Sequence, residues 1–375
     1  MNSETGAISD DTRIKAALPT IKHLIANEAK IILCSHLGRP KGTVNSRYSL
    51  VPVAQHLSQL LDQDVVLSEY YEGRALDFEI KKMKPGEIMM LENIRFFPGE
   101  EENSPQFAFK LSKLCDHYVN DAFGVCHRKH ASTFELPKLF NEEKSAGFLL
   151  EAEIKALSKL NNSFKAPFLA ILGGAKVSDK ISVLDTLTRK ADTVLIGGAM
   201  AHTFSLARGY SVGDSMVEEN KVKLALKIIE RAQENKCELI FPIDYVYAKS
   251  LNDEALTSLD SHIPEKHSAF DIGPKTRKLF EQKILSAQTI FWNGPMGVFE
   301  KKPFHKGTEA IAQSIAQSAA DFKVCGGGDS VSAVKQLQLE QSFHHVSTGG
   351  GASLEMIEGK ELPGIESLKC FKNRG

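Results

Sequence analysis

Apolar positions along the chain recur with two alternating periods, one helical and one extended. Ile14, Leu18, Ile21 and Ile25 repeat at helical spacing behind Asp10 and Asp11, which predicts a capped helix. Pro19 lies inside that pattern and is expected to kink or divide it. Short apolar runs predict strands over 30–35, 64–67, 88–91 and 117–120, with helices over 50–61 and from Ser104-Pro105, where a cap residue precedes an N1 proline. An amphipathic stretch through Leu149, Ile154, Leu157 and Leu160 ends in Asn161-Asn162-Ser163 and is a candidate connector. Beyond it, buried-strand patterns at 168–172, 194–198 and 290–293 alternate with helical segments at 218–234 and 275–285. Such alternation predicts an α/β protein with two doubly wound parallel-sheet domains, whose ligands bind beyond the carboxyl ends of the strands.

The polar clusters fall at those ends. In the first half they are Ser35-His36-Leu37-Gly38-Arg39-Pro40, Leu91-Glu92-Asn93-Ile94-Arg95-Phe96 and Asn120-Asp121-Ala122-Phe123-Gly124-Val125-Cys126-His127-Arg128. Arg39, Arg95 and Arg128 sit in these loops, and Arg13 lies near the first helix start. Convergent guanidinium groups suit a small, multiply charged anion, because each can grip carboxylate or phosphate at two points. In the second half five glycine-rich turns follow inferred strands: Gly173-Gly174, Gly197-Gly198, Gly294-Pro295-Met296-Gly297, Gly326-Gly327-Gly328 and Gly349-Gly350-Gly351. A strand, a turn without side chains and a helix start expose backbone N–H groups to an anion. Two glycine triplets so close in sequence suggest a polyphosphate. Lys176 and Lys180 would add cations from one helix face. Asp329 is the one well-placed metal candidate, since Mg²⁺ usually takes one or two carboxylates plus phosphate oxygens and water.

Neither GxxxxGK[ST] nor GxGxxG occurs, which removes the P-loop reading and the main sequence support for a dinucleotide-binding dehydrogenase. HExxH and paired-cysteine metal motifs are absent as well. The 375 residues are enough for two ordinary domains, and a 42% hydrophobic, 25% charged composition is that of a globular protein. A net charge of −1 argues against nucleic acid or an anionic membrane as partner. Six scattered cysteines fit reduced thiols in a cytoplasmic protein, and no secretory signal or 18-residue apolar run is found.

At these residues the chain resembles the phosphoglycerate kinase family, from about Ile8 to Leu368 in unbroken order. The motifs that carry the resemblance include Asp11-Thr12-Arg13-Ile14, Ser35 to Gly42, Leu91 to Phe96 and Gly173 to Lys180. Asn293-Gly294-Pro295-Met296-Gly297-Val298-Phe299-Glu300, Gly326-Gly327-Gly328-Asp329 and Ser347 to Glu355 complete them. The resemblance implies two α/β domains facing across a cleft and closing about a hinge: 1–147 for phosphoglycerate, a joining helix over 148–162, 163–352 for nucleotide, and 353–375 returning to the first domain. It implies reversible phosphoryl transfer between 1,3-bisphosphoglycerate with MgADP and 3-phosphoglycerate with MgATP, in a monomer with small-molecule partners. Carried over by motif, Arg13, His36, Leu37, Gly38, Arg39, Arg95 and Arg128 would bind phosphoglycerate. Lys176, Lys180, Gly197, Gly198, Asn293, Glu300, Gly326, Gly327, Gly328, Asp329 and Ser330 would bind nucleotide, with Asp329 holding Mg²⁺. Arg13, Lys176, Gly349, Gly350 and Gly351 would act on the phosphoryl group in transfer.

One family feature has no counterpart. Members begin with a strand of the type Arg-Val-Asp-Phe-Asn-Val-Pro, interior to the first sheet, whereas this sequence opens Met1-Asn2-Ser3-Glu4-Thr5. The expectation is unpaired backbone on neighbouring strands. Three readings stay open: a start upstream of Met1, a shortened chain that is weak or inactive, and a nucleotide-binding homologue without catalysis.

Overall fold

The structure, a computed structural model, describes residues 7–369. The chain divides into two units, one made of residues up to Ile154 together with those from Glu361 onward, the other of Lys155–Lys360.

The first unit opens with α1 (Thr12–Ala26). Asp10 accepts the Thr12 N–H at 3.1 Å, while Asp11 pairs with Lys15 and His56. The helix is not divided at Pro19, because Thr20 and Ile21, directly after it, are buried and hold the segment against the core. Then follow β1 (Ile31–Leu33), α2 (Val51–Leu61), β2 (Val65–Ser68), α3 (Arg74–Lys82) and β3 (Ile88–Leu91). The short α4 (Pro98–Glu101) and α5 (Pro105–Ser112) come next, and Ser104 Oγ accepts the Phe107 N–H as the expected cap. Strands β4 (Tyr118–Asn120) and β5 (Lys144–Ala146) complete the series. The strand β5 is too short and too polar for apolar periodicity to mark it.

The first sheet is parallel, in the order β1-β3-β2. Every residue of β3 is buried, and its side chains alternate between two helical layers. Ile88 and Met90 pack with Ile21 of α1 and Ala54 and Leu57 of α2, whereas Met89 and Leu91 pack with Leu76 of α3 and Phe107 and Leu111 of α5. Strands β4 and β5 form a separate parallel pair. Among the described residues, no strand pairs with the second edge of β1 or of β4. Among the described residues, the strands of this unit therefore form two separate sheets. Met1 to Thr5, where a counterpart of the family's first strand was sought, lie outside the described residues.

The helix α6 (Phe148–Asn162) carries the chain from one unit into the other. The second unit contains β6 (Phe168–Leu172), α7 (Ile181–Lys190), β7 (Thr193–Ile196), α8 (Met200–Ala207), α9 (Val222–Glu234) and β8 (Glu238–Ile240). A small antiparallel sheet of β9 (Tyr245–Ala248), β10 (Leu256–Thr257) and β11 (Ser268–Ile272) intervenes. The chain continues through α10 (Pro274–Ser286), β12 (Thr289–Asn293), α11 (Lys306–Gln317), β13 (Phe322–Gly326), α12 (Gly328–Gln336), β14 (His345–Val346) and α13 (Gly351–Ile357). Strands β6, β12 and β13 are buried along their whole length, as a sheet covered on both faces requires.

The main sheet is parallel in the order β14-β13-β12-β6-β7-β8. From β6 the chain winds outward through β7 and β8, then returns to β12 and winds the other way. The two directions meet between β6 and β12, the switch point where an open α/β sheet leaves a crevice for ligands. This is the strand order of dinucleotide-binding folds, reached without their GxGxxG fingerprint.

The chain re-enters the first unit at Glu361 rather than at 353, because α13 stays with the second unit, where Met356 O accepts the Asn161 amide at 2.7 Å. Beyond it, α14 (Pro363–Glu366) is fixed to the first unit: Gly364 N–H donates to Cys126 O, Asn120 Nδ2 to Gly364 O, and Ser367 Oγ to Thr133 O. The five described cysteines are free thiols, and Cys370 lies outside the described residues.

Candidate functional sites

In the first unit the polar loops follow the carboxyl ends of β1, β3 and β4. Arg95 is 5% exposed, though an arginine is rarely so buried without a full set of partners. Its Nη1 donates to Gly38 O at 3.0 Å, but its Nε has no hydrogen-bond partner, the nearest carboxylate oxygen being Glu101 Oε1 at 3.5 Å. A buried guanidinium with a spare donor is poised for an anion. His36 is held near pKa 3 by burial and then by the charges of Arg95, His130, Arg13 and Arg128. Arg95 in turn feels Arg128 and Arg39. Arg128 Nε donates to His127 Nε2 at 3.2 Å, so that ring is an acceptor on this side. Arg13, His36, Arg39, Arg95 and Arg128 thus share one electropositive region, with the neutral imidazole of His36 inside it.

His130 belongs to the same region and escaped the sequence reading. It is 8% exposed, its pKa is pushed down to about 4 by burial and by Arg95, and its Nδ1 lies 3.7 Å from Glu100 Oε1. Its signal was the spacing from His127, a second imidazole three residues on in a loop at a strand end.

In the second unit the strand register aligns Leu172, Ile196, Asn293 and Gly326 in one row across β7, β6, β12 and β13. The next residue along each strand begins a turn: Gly173, Gly197, Gly294 and Gly327. The Ser347 N–H donates to Cys325 O, which brings the turn at Gly349, Gly350 and Gly351 to the same edge. All five glycine turns therefore lie along the carboxyl edge of one sheet.

Their glycines do two different jobs. At the switch point the turns after β6, β12 and β7 are stitched to one another, with Gly174 N–H donating to Pro295 O and Gly198 N–H to Met296 O. A Cβ on Gly173 would come within 2.0 Å of Pro295 O, and one on Gly198 within 2.5 Å of Gly174 N. Here the missing side chains let backbone pack on backbone. At Gly328 and Gly350 an added Cβ would meet nothing within 4 Å. There the backbone faces open space, at the starts of α12 and α13.

Lys180 Nζ donates to Asn293 Oδ1, and the Asn293 Nδ2, in a side chain 2% exposed, has no partner. That amide stands at the Gly327 turn, where a Cβ would meet it at 2.9 Å. Burial pushes the Lys180 ammonium down to about 8 against the raising effect of Asp179 and Asp329. Asp329 is exposed in the first turn of α12, and Lys176 and Glu300 are exposed as well. Ser330 is fully buried and its Oγ accepts the Gly294 N–H at 2.5 Å, tying α12 to the switch-point turn. Ser347 and Ser353, both buried, share a hydroxyl–hydroxyl bond of 2.6 Å that closes the turn before α13.

Among the described residues no group of three or more His, Cys, Asp or Glu side chains could hold a metal ion by itself. A single exposed carboxylate beside phosphate-ready amides fits a metal that arrives with its phosphates. Among the described residues no helix is long and apolar enough to cross a membrane.

Comparison with known proteins points the same way. The profile of the family described as "Phosphoglycerate kinase" matches residues 1–360. A phosphoglycerate kinase of Anaeromyxobacter sp. (strain Fw109-5) is 51% identical over 370 residues, 98% of this chain and 93% of the relative. One from Pseudothermotoga lettingae is 47% identical over 97% of this chain and 91% of the relative. The phosphoglycerate kinase structures from Coxiella burnetii and Pyrococcus horikoshii both superpose with a TM-score of 0.86, at 38% and 35% identity. They align with 97% and 98% of this chain and cover 92% and 93% of their own. By sequence over nearly its whole length and by fold, this chain belongs to the phosphoglycerate kinase family.

Proposed function

We propose that the protein catalyses the reversible transfer of a phosphoryl group between 1,3-bisphosphoglycerate with MgADP and 3-phosphoglycerate with MgATP. The observation that carries this reading is the gathering of Arg13, Arg95 and Arg128 around a neutral His36, with Arg39 acting on Arg95, in a unit separate from the glycine-turn edge. One unit is built for a small polyanion and the other for a polyphosphate. Arg13, His36, Arg39, Arg95 and Arg128, with the Leu37 and Gly38 backbone, bind the phosphoglycerate. Lys176, Lys180, Asn293 and the starts of α12 and α13 take the nucleotide phosphates; Glu300 takes the ribose, and Gly197 and Gly198 border the base.

In the direction of ATP consumption, a carboxylate oxygen of 3-phosphoglycerate bonds to the γ-phosphorus as the bond to the β–γ bridging oxygen breaks. ADP leaves with that electron pair. The attacking carboxylate is already ionised, its pKa lying near about 4, so no side chain need remove a proton. The work left to the protein is in-line placement and neutralisation of charge on the transferring group. Arg13, Lys176 and the amides of Gly349, Gly350 and Gly351 supply it. Mg²⁺, held by Asp329 together with phosphate oxygens, would neutralise charge on the nucleotide. The protein acts as a cytoplasmic monomer.

The test is ADP release in a coupled spectrophotometric assay containing ATP, Mg²⁺ and 3-phosphoglycerate. Turnover that depends on all three supports the reading. ATP hydrolysis indifferent to 3-phosphoglycerate, or no turnover at all, refutes it.

A further inference from the structure

Asn93 carries no charge and touches open solvent nowhere, being fully buried at the end of β3. Its side chain nevertheless directs three hydrogen bonds at the segments that surround the proposed phosphoglycerate site. The Nδ2 donates to Leu37 O at 2.8 Å and to Tyr48 O at 2.9 Å, and the Oδ1 accepts the Arg95 N–H at 3.1 Å. Leu37 lies between His36 and Gly38, the residue whose carbonyl receives the buried Arg95 guanidinium. Tyr48 closes the far side of the same loop, its ring so near Gly38 that a Cβ there would come within 2.4 Å. The preceding Glu92 extends the clamp. Its Oε1 accepts the Leu50 and Asn93 N–H groups, and its Oε2 accepts Ser49 Oγ.

The loop after β1, at both Leu37 and Tyr48, is thus tied to the loop after β3 through one carboxamide. Without it, Leu37 O, Tyr48 O and the Arg95 N–H would each lose a buried partner. We infer that Asn93 is a positioning residue for the acceptor site, setting the His36–Arg39 loop against the Arg95 guanidinium while touching no substrate itself. This rests on the function proposed above.

Asn93→Ala tests it in the full-length protein by steady-state kinetics with both substrates varied. The KM for 3-phosphoglycerate should rise about tenfold or more while the KM for MgATP stays within about twofold of the parent. A residue that only stabilised the fold would lower the melting temperature and leave that ratio alone. A folded variant with an unchanged 3-phosphoglycerate KM, or with both KM values raised together, overturns the inference. Should circular dichroism show Asn93→Ala to be unfolded, Ser49→Ala, which loosens the Glu92 end of the clamp, decides the matter. It should raise the 3-phosphoglycerate KM about threefold with that for MgATP unmoved, and no change overturns the inference. A parent protein that does not phosphorylate 3-phosphoglycerate brings down the functional reading, and this inference with it.

Discussion

Lys180 shows how much one side chain's surroundings can decide. Its ammonium is pushed down to about 8 by burial, with Asn293 as its neutral acceptor and Asp179 and Asp329 as the carboxylates that hold it up. Nucleotide phosphates would favour the charged form and raise its pKa. Binding then draws on a protonated lysine that is fully present below about pH 8 and must be reprotonated above it. Titration calorimetry with MgADP should show an affinity that falls as pH rises from about 8, with proton uptake that Lys180→Met abolishes. The motif around Gly173-Gly174 singles this lysine out as a candidate phosphate contact from sequence alone. Its low pKa was not legible there, since it depends on burial and on Asn293, 113 residues away. His130 was missed for the same reason: its burial beside Glu100 and Arg95 is a product of folding, not of spacing.

Among the elements, the strand–turn–helix units of the main sheet were the most legible, because long buried runs ending in glycine leave little choice of structure. The strand β6 has the bounds expected of it, and α10 differs by one residue at each end. The antiparallel β9, β10 and β11 and the polar β5 were not anticipated, as strands of two to five residues without a continuous apolar run leave no usable period. Nor could sequence tell the packing glycines from the open ones. That distinction predicts opposite outcomes for one substitution. Gly173→Ala drives a Cβ into Pro295 O and should cost about 2–4 kcal/mol, read as a fall in the urea midpoint. Gly328→Ala enters open space and should leave the midpoint unmoved, while weakening MgADP binding by crowding the start of α12.

For the whole molecule, the sequence marked two domains and a returning tail, but not where the tail changes sides. That boundary is set by Met356 O, which keeps α13 with the second unit, and by Cys126, Asn120 and Thr133, which receive α14. Removing residues 361–375 should therefore injure the first unit. Calorimetry should show 3-phosphoglycerate affinity falling at least about tenfold, with MgADP affinity kept within about twofold. Equal loss of both ligands would contradict the division of labour between the units.

The same arrangement bears on how the protein is born. The first unit takes residues from both ends of the chain, so its opening strands leave the ribosome long before α14 exists to complete them. Roughly two hundred residues of the second unit are made in between, on the order of ten to forty seconds of synthesis. The second unit is continuous in sequence and can close on itself as soon as it has emerged. In the cell the second unit should thus mature first, while the first unit waits for α14, with β1 and β4 each offering an edge that no strand covers among the described residues.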